Sequence, residues 1–300
     1  MLNKAIQISV LMPIFNPNIK WLEATFESLN QQTIHNWQLV LSLDGDDQAT
    51  ISAITVARES LRPSQTLVVV RGPREGISEA LNRGLAACNT PYTARLDADD
   101  ICRPNRLEVQ WKRLESEPDL VACGMQIQAI DTDGKEIKGR IHPYPTSRDA
   151  TLLVGALLNT PIAHPVLMFR TVNVIKIGGY RDRRCMEDYD IMARLSEHGN
   201  LINLAGTGLN YRIHSKQHSR QARPKRGELL QARYKFLRVL TKKQYAAAVL
   251  FIIPLALYVI GPKGEYQLRR LASHLWSRVI GSQRRRPATN KSAKVSRESL

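Results

Sequence analysis

Ala94-Arg95-Leu96-Asp97-Ala98-Asp99-Asp100 is the stretch on which the reading of this chain turns. An apolar run over residues 92–96 ends in three carboxylates within four positions. If the strand continues to residue 99, Asp97 and Asp99 point to the same face, because side chains alternate along a strand. Carboxylates that close repel one another and need a cation between or beside them. A Mg²⁺ or Mn²⁺ that also grips a diphosphate is the usual solution. The same residues also fit a solvated acidic turn, so the rest of the chain has to separate the two readings.

Upstream, an alternating pattern leads to this stretch. Residues 6–12 form a β-rich run ending at Pro13, and Trp21, Leu22, Thr25, Phe26 and Leu29 follow at helical spacing. Residues 37–43 read as a strand ending at Asp44-Gly45, 49–60 as a helix and 66–70 as a third strand. Residues 77–88 read as a helix with Ile77, Ala80, Leu81, Leu85 and Cys88 on one face. With residues 92–96 as the fourth strand, the order β-α-β-α-β-α-β implies an α/β fold: a Rossmann-like, mostly parallel central sheet flanked by helices. Ligands of such sheets bind at the carboxyl ends of strands, where Pro13, Asp44 and the Asp97/Asp99 pair fall. Downstream, the pattern predicts a helix from Pro104 to about Glu115 and a hairpin of 121–130 with 136–140 around Asp131-Thr132-Asp133-Gly134. It further predicts a helix over 148–158, a strand over 165–170, and a helix over 188–198 with Ile191, Met192 and Leu195 inward.

Of the 300 residues 43% are apolar, enough for a sizeable core, and the net charge is +16. That charge is uneven. Residues 212–300 hold 21 Lys/Arg against 3 Asp/Glu, whereas residues 1–211 hold 22 against 24. A nearly neutral body therefore carries a basic appendage, which suits an anionic surface such as membrane lipid or nucleic acid. Cys88, Cys102, Cys123 and Cys185 show no C-x-x-C spacing, the pattern of reduced cytosolic thiols. Met1-Leu2-Asn3-Lys4 leads into a strand-like run without the layout of a signal peptide, so the body is expected in the cytoplasm.

Several residues carry chemistry in either of two ways. Asp44 at a strand end suits a base N–H or a ribose hydroxyl, or simply an Asp-Gly turn. Gly76-Ile77-Ser78 opens a helix, with Ser78 as its cap and Arg71 and Arg74 nearby; it reads as an anion site or as a plain capped helix. In Glu187-Asp188-Tyr189-Asp190, acidic residues at a helix start compensate the dipole, or one of them, its pKa raised by its neighbour, serves as a general base. His164 and His214 lack the HExxH spacing of a zinc site.

Taken in order, the motifs resemble a known family. Val10-Leu11-Met12-Pro13-Ile14-Phe15-Asn16, Leu43-Asp44-Gly45, Gly76 with Ala80-Leu81-Asn82-Arg83-Gly84, the acidic stretch, His164-Pro165 with Met168-Phe169-Arg170, Gly178-Gly179-Tyr180, Glu187-Asp188-Tyr189-Asp190 and Tyr211-Arg212 with His214 follow the sequence of family 2 glycosyltransferases of the GT-A fold. The likeness covers roughly residues 6–218 and is strongest to the bacterial branch that builds O-antigen, capsule or exopolysaccharide. It implies that Pro13, Asn16 and Gly76 line a nucleotide pocket, Asp44 binds the base and Asp97 lies by the ribose. Asp99 would hold a divalent metal, Mn²⁺ or Mg²⁺, His214 would complete that site or contact the diphosphate, and His164 would face the acceptor. Asp188 would be the base of a single, inverting displacement from a nucleotide-sugar donor to a lipid-linked or saccharide acceptor. The family often has two acidic residues followed by Gly-Ser at the second site; here Leu43 replaces the first and Asp46 the Ser. A uridine nucleotide is the expected donor.

Two other classes fit less well. A sugar-nucleotide pyrophosphorylase needs a Gly-rich loop where Pro13-Ile14-Phe15-Asn16-Pro17 stands. A nucleic-acid binder finds its charge in residues 212–300 but no recognised module, so no nucleic acid is expected. The uncharged run 245–262, with Pro254 inside and Lys242, Lys243 and Lys263 around it, suits a helix lying in an anionic membrane surface better than one crossing it. The expected organisation is a catalytic domain over 1–218, a basic membrane-associating helical region over 219–283 and a disordered tail over 284–300. The protein would then sit peripherally on the cytoplasmic face of the inner membrane.

Overall fold

A computed structural model describes residues 6–141, 143–158, 160–182, 186–215, 217 and 226–241. They belong to a compact unit spanning residues 1–248. The segment 245–262, the tail 284–300 and Cys185 lie outside the described residues.

The alternation read from the first hundred residues is present. Strands β1 (Ile8–Ile14), β2 (Trp37–Leu43), β3 (Thr66–Val70) and β4 (Tyr92–Arg95) are separated by helices α1 (Ile19–Asn30), α2 (Gln48–Ser60) and α3 (Ile77–Ala86). All four strands run parallel in the order β3-β2-β1-β4. The central strands are buried on both faces. Val10, Met12 and Ile14 point into the layer that holds Phe26, Leu29 and Ile54 of α1 and α2. Leu11 points the other way, to Leu81 and Leu85 of α3. This is the two-residue period of a strand covered on both sides. Gly84 lets α3 lie close on the sheet: a Cβ there would come within 2.3 Å of the Leu11 side chain.

The second half of the sheet is mixed. β5 (Ile101–Cys102), α4 (Arg106–Ser116), β6 (Leu120–Ile130), α5 (Arg148–Leu157), a 3-10 turn at His164–Val166, β7 (Met168–Arg170), α6 (Thr171–Lys176), α7 (Glu187–Leu195), β8 (Asn200–Arg212) and α8 (Arg226–Arg238) follow. They complete the order β4-β7-β6-β8-β5, with β7 antiparallel to β4 and β6, and β6 parallel to β8.

Several expectations are corrected. β4 stops at Arg95, so Asp97 and Asp99 are gathered by a turn and not by strand alternation. The hairpin after β6 shrinks to a bridge between Ile130 and Glu136, because β6 pairs along its length with β8. The start of the 165–170 strand is the 3-10 turn. The compact body also extends past residue 218: α8 packs on α5 and α7 through Ala232 and Phe236. Cys88, Cys102 and Cys123 are buried free thiols, and burial pushes Cys88 to about 11 and Cys123 to about 12. Among the described residues no helix is long and apolar enough to cross a membrane.

Candidate active site

The carboxyl ends of β1, β2 and β4 bound one side of the site. Beyond β1, Asn16 adopts a left-handed φ of 42° and its N–H donates to Thr50 Oγ1 at 2.9 Å. Phe15 is exposed, and the Arg74 guanidinium lies 4.2 Å from its ring centroid. Phe15, Asn16, Gly45, Asp46, Asp47 and Arg74 line a pocket of about 300 Å³. Asp47 is engaged in capping α2 through Thr50.

Asp44, at the end of β2, is 6% exposed. Its Oδ1 accepts from the N–H of Glu75 at 2.8 Å and of Gly76 at 3.1 Å, its Oδ2 accepts from Gly76 at 3.0 Å, and Arg83 approaches at 3.4 Å. The carboxylate thus ties down the two backbone N–H groups that lead into α3, those of Glu75 and Gly76. Ser78 is not the cap; its hydroxyl donates to the Arg181 carbonyl. The turn into α3 therefore meets the protein's own anion, and Gly76 supplies the left-handed φ of 97° in that turn.

The turn after β4 gathers Asp97, Asp99 and Asp100, whose carboxylate oxygens lie with one another inside 4.8 Å. Arg95, 1% exposed, pairs with Asp97 at 2.6 Å. His214 Nε2 lies 2.8 Å from Asp99 Oδ2. The Arg212 N–H donates to Asp100 Oδ1 at 2.8 Å, its Nε to the Asp99 carbonyl, and its Nη1 to the carbonyls of Asp131 and Thr132. Trp21 donates to the Thr132 carbonyl and sets its ring 4.8 Å from that of His214. Burial, and then the neighbouring carboxylates, push Asp100 well above the usual carboxyl range. Asp97 is also raised, by burial first, against the pull of Arg95. The residues fit a hard divalent cation: an oxygen-rich donor set, one imidazole, a buried Asp100 Oδ2 and His214 Nδ1 without hydrogen-bond partners, and crowded negative charge.

Asp188 opens α7 on the other side. Its Oδ1 accepts from the Tyr189 N–H at 2.6 Å, and the Thr160 hydroxyl lies 3.5 Å from Oδ2. Burial, then the charge of Glu187, pushes its carboxyl up to about 7. A carboxyl held there accepts a proton at neutral pH far more readily than an ordinary aspartate. His164 is buried, with Nε2 3.1 Å from the Tyr180 hydroxyl; burial and the charge of Arg95 push it well below the usual histidine range. It is a neutral core residue in this state.

The structure brings Asp97, Asp99, Asp100 and His214 into one cluster, with Asp44, Asn16 and Pro13 at neighbouring strand ends. Sequence reasoning missed Arg95, Arg212, Trp21, Thr160 and Phe15. An arginine inside an apolar strand just before paired carboxylates was the one available signal, since a buried guanidinium requires a counter-charge.

A half-parallel α/β sheet that offers a carboxylate–histidine cluster and a raised-pKa aspartate beyond its strand ends defines a class of transferase with the GT-A fold. The glycosyl transferase family 2 profile matches residues 9–176, and this chain belongs to that family. The amylovoran biosynthesis glycosyltransferase AmsE of Erwinia amylovora is 34% identical over 196 residues, covering 65% of this chain and 71% of its own. The O-antigen biosynthesis glycosyltransferase WbnJ of Escherichia coli is 30% identical over 218 residues, covering 72% and 83%. Two solved structures share the fold at 14% identity. One is the mannosyltransferase PcManGT from Pyrobaculum calidifontis in complex with GDP-Man and Mn²⁺, with a TM-score of 0.56 over 93% of this chain and 85% of that one. The other is S. aureus TarS 1-349 in complex with UDP-GlcNAc, with a TM-score of 0.63 over 92% and 80%.

Proposed function

We propose that this glycosyltransferase moves a sugar, with inversion, from a nucleotide-sugar donor, UDP-linked by first expectation, to a hydroxyl of a lipid-linked or saccharide acceptor in bacterial cell-surface polysaccharide synthesis. The observation that carries this reading is the approach of His214 to Asp99 within a three-carboxylate turn at the end of β4. AmsE and WbnJ are named for amylovoran and O-antigen synthesis, which supports the acceptor class. Asp99 and His214 would hold Mn²⁺ or Mg²⁺, which when bound supplies charge neutralisation for the departing diphosphate. Pro13, Asn16 and Gly76 shape the nucleotide pocket, with Phe15 and Arg74 as a platform for the base. Asp44 Oδ2, which carries fewer bonds than Oδ1, remains for the base. Asp97, held by Arg95, borders the ribose. Asp188 takes the proton of the acceptor hydroxyl, and that oxygen attacks the anomeric carbon opposite the leaving group. The protein works peripherally at the cytoplasmic face of the inner membrane, using its basic C-terminal region. The test is a thermal-shift series of UDP, GDP and their sugars with and without Mn²⁺, followed by the anomeric configuration of the product by NMR. Metal-dependent stabilisation by one nucleoside diphosphate and an inverted product are expected. A metal-independent response or a retained configuration would overturn the reading.

A further inference from the structure

Helix α8 has two faces of opposite character. On one, Ala232 and Phe236 are buried, and Phe236 stacks on Tyr189 with ring centroids 5.6 Å apart. The Phe236 ring occupies the space beside Gly155, where an added Cβ would meet it at 2.7 Å. Lys235 reaches Asp190 at 3.9 Å and Arg238 reaches Glu197 at 3.3 Å, tying α8 to α7 and the turn after it. On the other face Leu230 and Tyr234, one turn apart, are 64% and 62% exposed. At the edge of this face, towards the body, Arg233 donates to the carbonyl of Leu158, which is itself 41% exposed. Large apolar side chains grouped on one outer face signal a partner.

The chemistry of the patch selects that partner. A tyrosine ring seats at the headgroup level of a bilayer, leucine enters the acyl boundary, and arginine or lysine stems lie along apolar surface with their charges at the phosphates. Residues 242–300 continue the chain with 12 Lys/Arg against 2 Asp/Glu, so charge favours an anionic surface as well. We propose that the outer face of α8, together with Leu158, docks on the surface of an anionic lipid bilayer. This deepens the proposed function and rests on it. Leu158 stands two residues before Thr160, whose hydroxyl approaches Asp188, and α8 is packed on the helix that carries Asp188. Docking there brings the base to the layer in which a lipid-linked acceptor presents its hydroxyl.

The test uses the full chain, co-sedimented with vesicles of phosphatidylglycerol and phosphatidylcholine or of phosphatidylcholine alone. The wild type should partition to the anionic vesicles and leave them in high salt. The Leu230→Ser/Tyr234→Ser double variant should lose about tenfold in partitioning, with its metal-dependent thermal shift on nucleoside diphosphate unchanged. Gln231→Trp, on the same exposed face, should gain partitioning, which keeps the proposal falsifiable if the double variant misfolds. Equal partitioning of all three proteins, or equal binding to neutral vesicles, would overturn it. So would unchanged partitioning with a lowered melting temperature in the double variant, which would mean that the chain's own apolar run 245–262 covers this face. Absence of the nucleotide shift in the wild type would instead defeat the catalytic reading and leave the vesicle result standing.

Discussion

The two halves of the sheet hold their acids differently. In the parallel half, Asp44 ends β2 with backbone N–H groups and Arg83 around its carboxylate, so its charge is met by donors already in place. In the mixed half, Asp188 receives the Tyr189 N–H, a distant Thr160 hydroxyl and the like charge of Glu187, and its carboxyl rises to about 7. One carboxylate is anchored by the backbone of the following loop; the other is pushed towards neutral pH by burial and a like charge.

Mutation can break or sharpen that contrast. The largest effect belongs between the halves: Asp99→Ala should lower kcat by about 10⁴-fold, several kcal/mol of leaving-group stabilisation, measured as nucleoside diphosphate release. Asp188→Asn should lower kcat by about 10³-fold with donor binding retained by thermal shift. The same variant reports linkage. In the native state Asp188 keeps its proton up to about pH 7, whereas the unfolded chain releases it near the ordinary value of 3.8, so stability falls as pH rises between the two. Asp188→Asn should remove that slope and raise Tm at alkaline pH by about 2–4 °C. Phe236→Ala, beneath α7, should cost about 3 kcal/mol in urea unfolding, linking α8 to the body of the fold. Asp44→Ala should cost about 1–2 kcal/mol by leaving the Glu75 and Gly76 N–H groups without their acceptor and leave the pH–rate midpoint unmoved. Thr160→Val has the smallest effect: the midpoint of kcat against pH should rise by a few tenths of a unit, because a donor to the ionised form is removed.

The parallel half was legible because each strand is a short apolar run and each helix shows a clear periodic face, as with Leu22, Phe26 and Leu29. The acids at its strand ends could be placed for the same reason. β8 was not legible: Asn203, Gly206, Gly208 and Asn210 interrupt any alternation, and the strand exists because β6 pairs along it. Arg95 and Arg212 stood in the quoted motifs without a role, because arginine reads as a surface residue. Here each is almost wholly buried, with Asp97 or a set of backbone carbonyls as its partner. α8 was placed outside the body because its charge outweighs its two inward positions, Ala232 and Phe236.

Arg212 also dictates an order of events during synthesis. The acidic turn is complete once residue 100 has left the ribosome, yet the guanidinium that ties its backbone and the imidazole that meets Asp99 arrive over a hundred residues later. Contacts this remote along the chain form late. The Asp99–His214 and Asp99–Arg212 contacts therefore join segments more than a hundred residues apart, so the acidic turn reaches its native surroundings only when β8 is in place beside β6.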